Sequence, residues 1–415
     1  MARIKAFKAV RPVPELVSKV AALPYDVMNT QEAKEMVKGN PYSFLHIDRP
    51  EISFEESIDL HDPRVYKKAQ ENLLKMINDG VYVQDKSECL YIYQLKRQGK
   101  VKRGIVTCTS IDDYIQDVIK KHEHTLEVKE KDRINHVKST GAHTGPIMMA
   151  YREHAELRRI IDNWVDSHDP VYDFKSLDNV DQTVWVIDDN QTINTITAIF
   201  AQIPALYIAD GHHRSQAAVS VGLEERKKKP DYSGDEAFNY FLSILFPDVD
   251  MTIMDYNRVI KDLNGLSAEE FLIKIEENFD ITYKGKEEFK PTSKFSFGMY
   301  LEGMWYGLIA KVSGFDKEDP VASLDVSILQ NLLIEPILGI SDVRTDKRID
   351  FVGGIRGLDE LKNRVDSGEM KVAFALYPTS IEELMNIADA GQVMPPKSTW
   401  FEPKLQSGIF LHLLT

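Results

Sequence analysis

The stretch IADGHHRSQAA, Ile208 to Ala218, sets Asp210, Gly211, His212, His213 and Arg214 side by side. An apolar run ends at Ile208-Ala209, and a helix-forming run begins within a few residues. The free N–H groups of a helix start therefore face this turn, and such a start attracts phosphate or carboxylate. Arg214 can clamp an anion through two donors. His212 and His213 can donate to phosphoryl oxygens or carry protons near neutral pH. Asp210 can bind Mg²⁺ or orient a histidine. Gly211 permits a tight turn or a close backbone approach. The bland alternative makes Asp210 a helix cap and the histidines exposed polar groups. Four such side chains at one strand end argue against it.

Three other stretches carry chemistry. In KKHEHTLEVKEKDRINH, an extended backbone would turn His122 and His124 one way and Glu123 the other, leaving a carboxylate flanked by imidazoles that can serve as a general base. Lys129, Asp132 and Arg133 fall at i, i+3 and i+4 of a helix and share a face, either a solvated face with local ion pairs or a substrate-supporting one. MPPKSTWFEPKLQSG holds Pro395, Pro396 and Pro403, which exclude regular helix, together with Trp400 and Phe401, which suit an ordered loop. Lys397, Ser398, Thr399 and Lys404 would offer that loop's cations and hydroxyls to a phosphate. In ALPYDVM, Tyr25 and Asp26 sit on a loop between helices, and Asp26 is also an ordinary turn former. SFLHIDRP reads as a strand with Phe44, His46 and Asp48 on one face.

The positioning elements are legible as periodic runs. Asp62-Pro63 opens an amphipathic helix through Val65, Ala69, Leu73 and Ile77, ending at Gly80. CLYIYQL and GIVTCTS form a hairpin turning at Gly99, and KFSFGMYLEGMWYGLIAKV forms a second about Glu302-Gly303. HAELRRIIDNWV and NTITAIFAQI are helices, and TVWVIDD, ALYIADG, FLSILF and KVAFALYP are strands. Ser267 and Glu270 make a capping box. Thr379 with Glu382 caps the helix after KVAFALYP, and a helix from Ser323 stops near Pro336. Hairpins mixed with helices indicate an α+β chain with mixed or antiparallel sheets and surrounding helices.

At 415 residues two domains are expected. The polar stretch ERKKKPDYSGDE places the seam so that residues 1–235 form one α+β region and 236–415 another. The net charge of −14 opposes general nucleic-acid binding or an anionic membrane partner. The two cysteines form no disulfide framework and no metal spacing. No signal peptide or membrane span is evident, so a cytoplasmic location is expected.

ADGHHRSQAA resembles the phosphate-binding loop of the ParB/sulfiredoxin-like superfamily, in which free-serine kinases carry a DGHHR turn. LPYDV, NPYSFLHIDRP, HEHT, ADGHHR and MPPKSTWFEPKLQSG, in this order, resemble the conserved bacterial and archaeal domain-of-unknown-function family ten-fifteen over nearly the whole chain. The resemblance implies a phosphate-loop core plus a second α+β region. It also implies Mg²⁺ with ATP or ADP, and transfer of a phosphoryl group to a small hydroxylated metabolite such as free serine. Gly211, His212, His213 and Arg214 would hold the donor phosphates and Glu123 would accept the hydroxyl proton, positioning and charge neutralisation being what this reaction needs. Two alternatives stand beside it. One is a nucleotide-binding switch of ParB type. The other is a metal hydrolase using His122, His124, Asp210 and His212, although no H-E-x-x-H pattern is present.

Overall fold

Gln98 and Gly99 both take positive φ, 48° and 81°. Two such residues suit a two-residue turn whose twist matches its strands. They join Leu90–Arg97 to Lys100–Ser110, the first expected hairpin. In this computed structural model, which describes residues 1–414, the hairpin lies within a nine-stranded mixed sheet. Lys100–Ser110 pairs antiparallel with Tyr240–Pro247, which runs parallel to Ile147–Tyr151. Next come Leu206–Asp210, antiparallel, and Ile119–Lys120, parallel. On the other side Leu90–Arg97 leads to Asp181–Ile187 and Tyr172–Lys175. Leu157, Ile161 and Trp164 from one helix, and Ile193, Ile196 and Phe200 from another, bury their apolar stripes in the same core as Ile92, Met149, Ile208 and Phe241. The chain is α+β, as its hairpins require.

This sheet belongs to the first of two compact bodies, formed by Met1–Lys121, Thr125–Met251 and the chain from Pro403 on. The second body comprises His122–His124 and Thr252–Glu402. A seam at 235/236 is therefore corrected. The polar loop there leads only into Tyr240–Pro247, whose backbone is committed to two strands of the first sheet.

A smaller cluster of the first body packs Phe44, Leu45 and Ile47 against Leu73 and Met76 of the helix Pro63–Asn78, with Tyr82 and Leu411. Asp62 caps that helix, accepting from Arg64 N at 2.8 Å. The expected strand at SFLHIDRP is instead the helix Leu45–Asp48, with Asp48 N and Arg49 N donating to the carbonyls of Phe44 and Leu45. A strand would bury alternate residues; here neighbouring Phe44, Leu45 and Ile47 are all buried. From Pro403 on, Ser407 bridges Ala22, Leu411 bridges Val10, and His412–Leu413 pairs with Ala142–His143. Cys89 and Cys108 are free and buried.

The second body holds a six-stranded antiparallel sheet. It contains the expected hairpin Ser296–Leu301 and Met304–Ala310, and the Ser267–Glu270 capping box is present. Two helix ends differ from expectation. Ser380 with Glu383 forms the later box, one residue on, because the Thr379 hydroxyl donates to Ser398 O at 3.2 Å. Pro336 does not stop its helix: a π turn at Gln330–Ile334 precedes it, and the helix runs on to Leu338 before Gly339 at φ 67°. Proline sits in the first turn of that last segment, where its missing N–H is least costly. Among the described residues no helix is long and apolar enough to cross a membrane.

Candidate functional site

The strand Leu206–Asp210 loses register between Ile208 and Asp210, so that Asp210 comes opposite Met148. Such an irregularity re-aims the side chain at a strand end. Gly211 follows at φ 103° and ψ 30°, and the helix His212–Lys228 begins immediately. Gly211 supplies no side-chain cap, so the first-turn N–H groups face the turn. The Arg214 guanidinium folds back over this turn. A Cβ on Gly211 would stand 3.2 Å from its Nε and Nη2, and one on Gly145 would stand 3.0 Å from Nη1. The cation is thus sandwiched between two glycines. Its Nη1 donates to Pro146 O at 2.8 Å, and its Nη2 lies 3.4 Å from Asp210 Oδ2. Lys404, from the returning chain, puts Nζ 3.7 Å from the same oxygen. Two largely buried cations therefore approach one half-buried carboxylate.

Arg214 also walls a chamber of about 30 Å³, lined among others by Tyr25, Asp48, Arg133, His143, Thr144 and Ser407. Helix Glu127–Thr140 delivers Arg133 there. The side chain is buried, ion-paired to Asp132 at 2.7 Å, and laid over the Tyr25 ring at 4.0 Å from its centroid. Tyr66 donates to the other Asp132 oxygen at 2.8 Å. Burial alone would weaken the hold of Arg133 on its proton, but Tyr25, Asp132 and Asp48 outweigh it and raise its pKa. Burial pushes the Tyr25 hydroxyl up, against the pull of Arg133. Asp48 accepts from the Thr144 hydroxyl at 3.0 Å. His136 meets Ile47 O at 3.0 Å, and burial followed by the nearby Arg133 charge lowers its pKa. His143 is 6% exposed, and neither ring nitrogen has a hydrogen-bond partner.

The first body thus brings together Tyr25, Arg133, Gly211, Arg214 and the chamber, and it brings Asp210 to Lys404. His212 is buried in the first turn of its helix. The His213 Nε2 accepts from Leu126 N at 3.0 Å, and Leu126 is the N-cap position of Glu127–Thr140. Its ring therefore serves a neighbouring helix start through that nitrogen. Asp26 is exposed beside Tyr25. The face reading of Lys129–Arg133 divides, with Lys129 exposed and Arg133 buried.

The other expected residues belong to the second body. The chain bends at Glu123, so that His122 is buried and His124 exposed, and the two imidazoles do not share an environment as an extended segment would give. His122 O accepts from Met394 N at 2.8 Å, and the Thr399 hydroxyl lies 3.4 Å from His122 Nε2. Lys397 takes φ 60° and stands over the Tyr256 ring. Ser398 donates to Pro395 O, a bond internal to its loop. Asp48, His136, His143, Thr144 and Ser407 were not among the expected site residues. The signal that could have found them was polarity at positions flanked by buried runs, as in AHTGPIMMA.

The sequence pattern of the family described as Protein of unknown function (DUF1015) matches residues 4–327. The chain belongs to that family. Among curated proteins none matches this DUF1015 member. Several solved structures are partly similar to it. A conserved hypothetical protein from Pyrococcus furiosus is 14% identical, with 75% of this chain and 95% of that one covered and a TM-score of 0.35. A free serine kinase in complex with AMP is 14% identical, with 72% and 86% covered and a TM-score of 0.35. SbnI with C-terminal truncation from Staphylococcus aureus is 10% identical, with 72% and 82% covered and a TM-score of 0.39.

Proposed function

We propose that the Asp210–Arg214 turn of this DUF1015 protein binds the phosphates of a nucleotide, ATP or ADP, and that a phosphoryl group passes from it to the hydroxyl of a small metabolite. Free serine is the acceptor that the DGHHR resemblance favours. The observation that carries the reading is the Arg214 guanidinium, held between Gly145 and Gly211 over an uncapped helix start. Arg214 and Lys404 neutralise phosphoryl charge, and the helix N–H groups orient the oxygens. In the transfer, the acceptor oxygen forms the new P–O bond, the nucleotide leaves with the electrons of the old one, and the hydroxyl proton passes to a base. Asp210 is a poor Mg²⁺ ligand for this scheme. Its carboxylate lies 3.4 and 3.7 Å from two cationic nitrogens, so a divalent ion there would meet both charges.

Calorimetry with ATP, ADP, AMP and inorganic phosphate tests the binding. Arg214→Ala is expected to weaken it by about 1.5–3 kcal/mol, the range for a hydrogen bond to a charged group. Unchanged affinity removes Arg214 from the site. Transfer from ATP or ADP to serine, threonine and small sugars tests the chemistry. Slow nucleotide turnover with no acceptor phosphorylated would make the protein a nucleotide switch instead.

A further inference from the structure

We propose that the chamber behind Arg214 receives the carboxylate of the acceptor, so that the substrate class is small carboxylates bearing a hydroxyl. The inference rests on the phosphate-binding reading of the neighbouring turn and adds a subsite to it.

Guanidinium geometry and an unsatisfied buried imidazole together select the group. The chamber, about 30 Å³, is roomy enough for a small polar group such as a carboxylate. Two guanidiniums, Arg133 and Arg214, line the space against one carboxylate, Asp48, whose Oδ1 is already engaged by Thr144. Arg133 is also paired with Asp132 and Arg214 with Asp210, so the selection rests on geometry: the planar guanidinium forks match the two oxygens of a carboxylate. Buried polar groups ordinarily find partners. His143 lines this space, is 6% exposed, and has two ring nitrogens with none. A neutral imidazole always carries one N–H, so an entering oxygen acceptor would satisfy it. The Ser407 hydroxyl is a further donor on the wall. Arg214 borders both the chamber and the phosphate turn, so a group anchored in one reaches toward the other. A molecule with its carboxylate inside the chamber would present its hydroxyl toward the donor phosphate.

The test is calorimetric titration of the full chain, without nucleotide, with L-serine, glycolate and ethanolamine as probes. Serine and glycolate share the carboxylate, serine and ethanolamine the ammonium, and all three the hydroxyl. Serine or glycolate should bind, and ethanolamine should bind at least about tenfold more weakly. If serine alone binds, the acceptor is an amino acid; if glycolate binds equally, hydroxy acids share the class. Arg133→Met should weaken carboxylate binding about tenfold or more. Because that change also strips Asp132 of its cation, Val137→Leu is the companion variant. Val137 lines the chamber, and one added methylene fills part of it without touching a charge. It should abolish carboxylate binding while ADP affinity stays as in wild type. Ethanolamine binding as tightly as serine, carboxylates binding Val137→Leu as they bind wild type, or no carboxylate binding at all would each overturn the subsite. Loss of ADP and phosphate binding in wild type, with carboxylate binding intact, would instead overturn the phosphate turn.

Discussion

Gly211→Ala separates the two things this glycine does. At φ 103° and ψ 30° an alanine occupies backbone space that side chains rarely enter, at a cost of about 1–3 kcal/mol. The new methyl would also stand 3.2–3.3 Å from the Nε, Nη2 and Cζ atoms of Arg214, so the guanidinium must give by a few tenths of an ångström. That movement strains its 2.8 Å bond to Pro146 O and misplaces the cation that the proposed function assigns to phosphate. Partial loss of one charge-assisted contact is worth about 1–2 kcal/mol, or roughly 5–30-fold in phosphate affinity. Gly145→Ala is the control. Its φ is ordinary, yet its methyl would stand 3.0 Å from Arg214 Nη1 and 3.4 Å from Ser407 Oγ. It should therefore lower affinity to a similar degree with little backbone strain. Hydrogen exchange of the amides in His212–Lys228 reads local stability and calorimetry with ADP reads affinity. Gly211→Ala should lower both, and Gly145→Ala chiefly the second. If both variants bind ADP as wild type does while Arg214→Ala does not, the glycine sandwich does not position the cation and the reasoning fails.

Three further outcomes are expected. His213→Ala should remove the acceptor for Leu126 N and cost about 0.5–2 kcal/mol, the worth of a helix cap, measured by urea denaturation, while ADP affinity stays within about twofold. Burial, and then the Lys5 charge, lower the His412 pKa from 6.5 to about 4, and burial with His412 lowers His143 as well. The unfolded chain then binds protons that the folded one refuses, so stability is full above about pH 6.5 and is lost as pH falls toward 4. His412→Asn should flatten that limb of the Tm-against-pH curve, and an unchanged slope would refute the assignment. In the second body, burial raises the Asp325 carboxyl to about 7. Folding therefore disfavours its ionised form, and destabilisation grows as pH rises from about 4 to 7. Asp325→Asn can keep the acceptor for Phe295 N, now at 2.6 Å, and should raise Tm more at pH 8 than at pH 5.

Local signals carried furthest where one element explains its own pattern. Gln98-Gly99, Asp62-Pro63 and Ser267-Glu270 act through backbone groups within a few residues, and all three appear as their sequences imply. The Asp210–Arg214 turn was legible for the same reason, since strand, glycine and helix start are contiguous. Arg133 was ambiguous because its environment comes from Tyr25 and Asp48, far away in the chain. The bond of His213 to the Leu126 N–H was not legible, because that partner lies far away in the chain. The short run FLHID fits both periods, and only packing against Pro63–Asn78 decides for helix. Pro336 misled because a π turn, invisible as a residue pattern, shifts the positions where a missing N–H matters.

The return of the chain at Pro403 bears on the order of events during synthesis. Lys404, Ser407 and the strand His412–Leu413 complete the first body, and Tyr82 donates to Gly408 O at 2.7 Å across 326 residues of sequence. A ribosome makes all of Thr252–Glu402 before these residues emerge. The nascent first body must wait, sheet formed but lacking Lys404 beside Asp210, Ser407 on the chamber wall and its closing strand. The Asp210–Arg214 turn therefore acquires its Lys404 neighbour last, after the second body has had time to fold, and a chain arrested before Pro403 carries the turn without that cation.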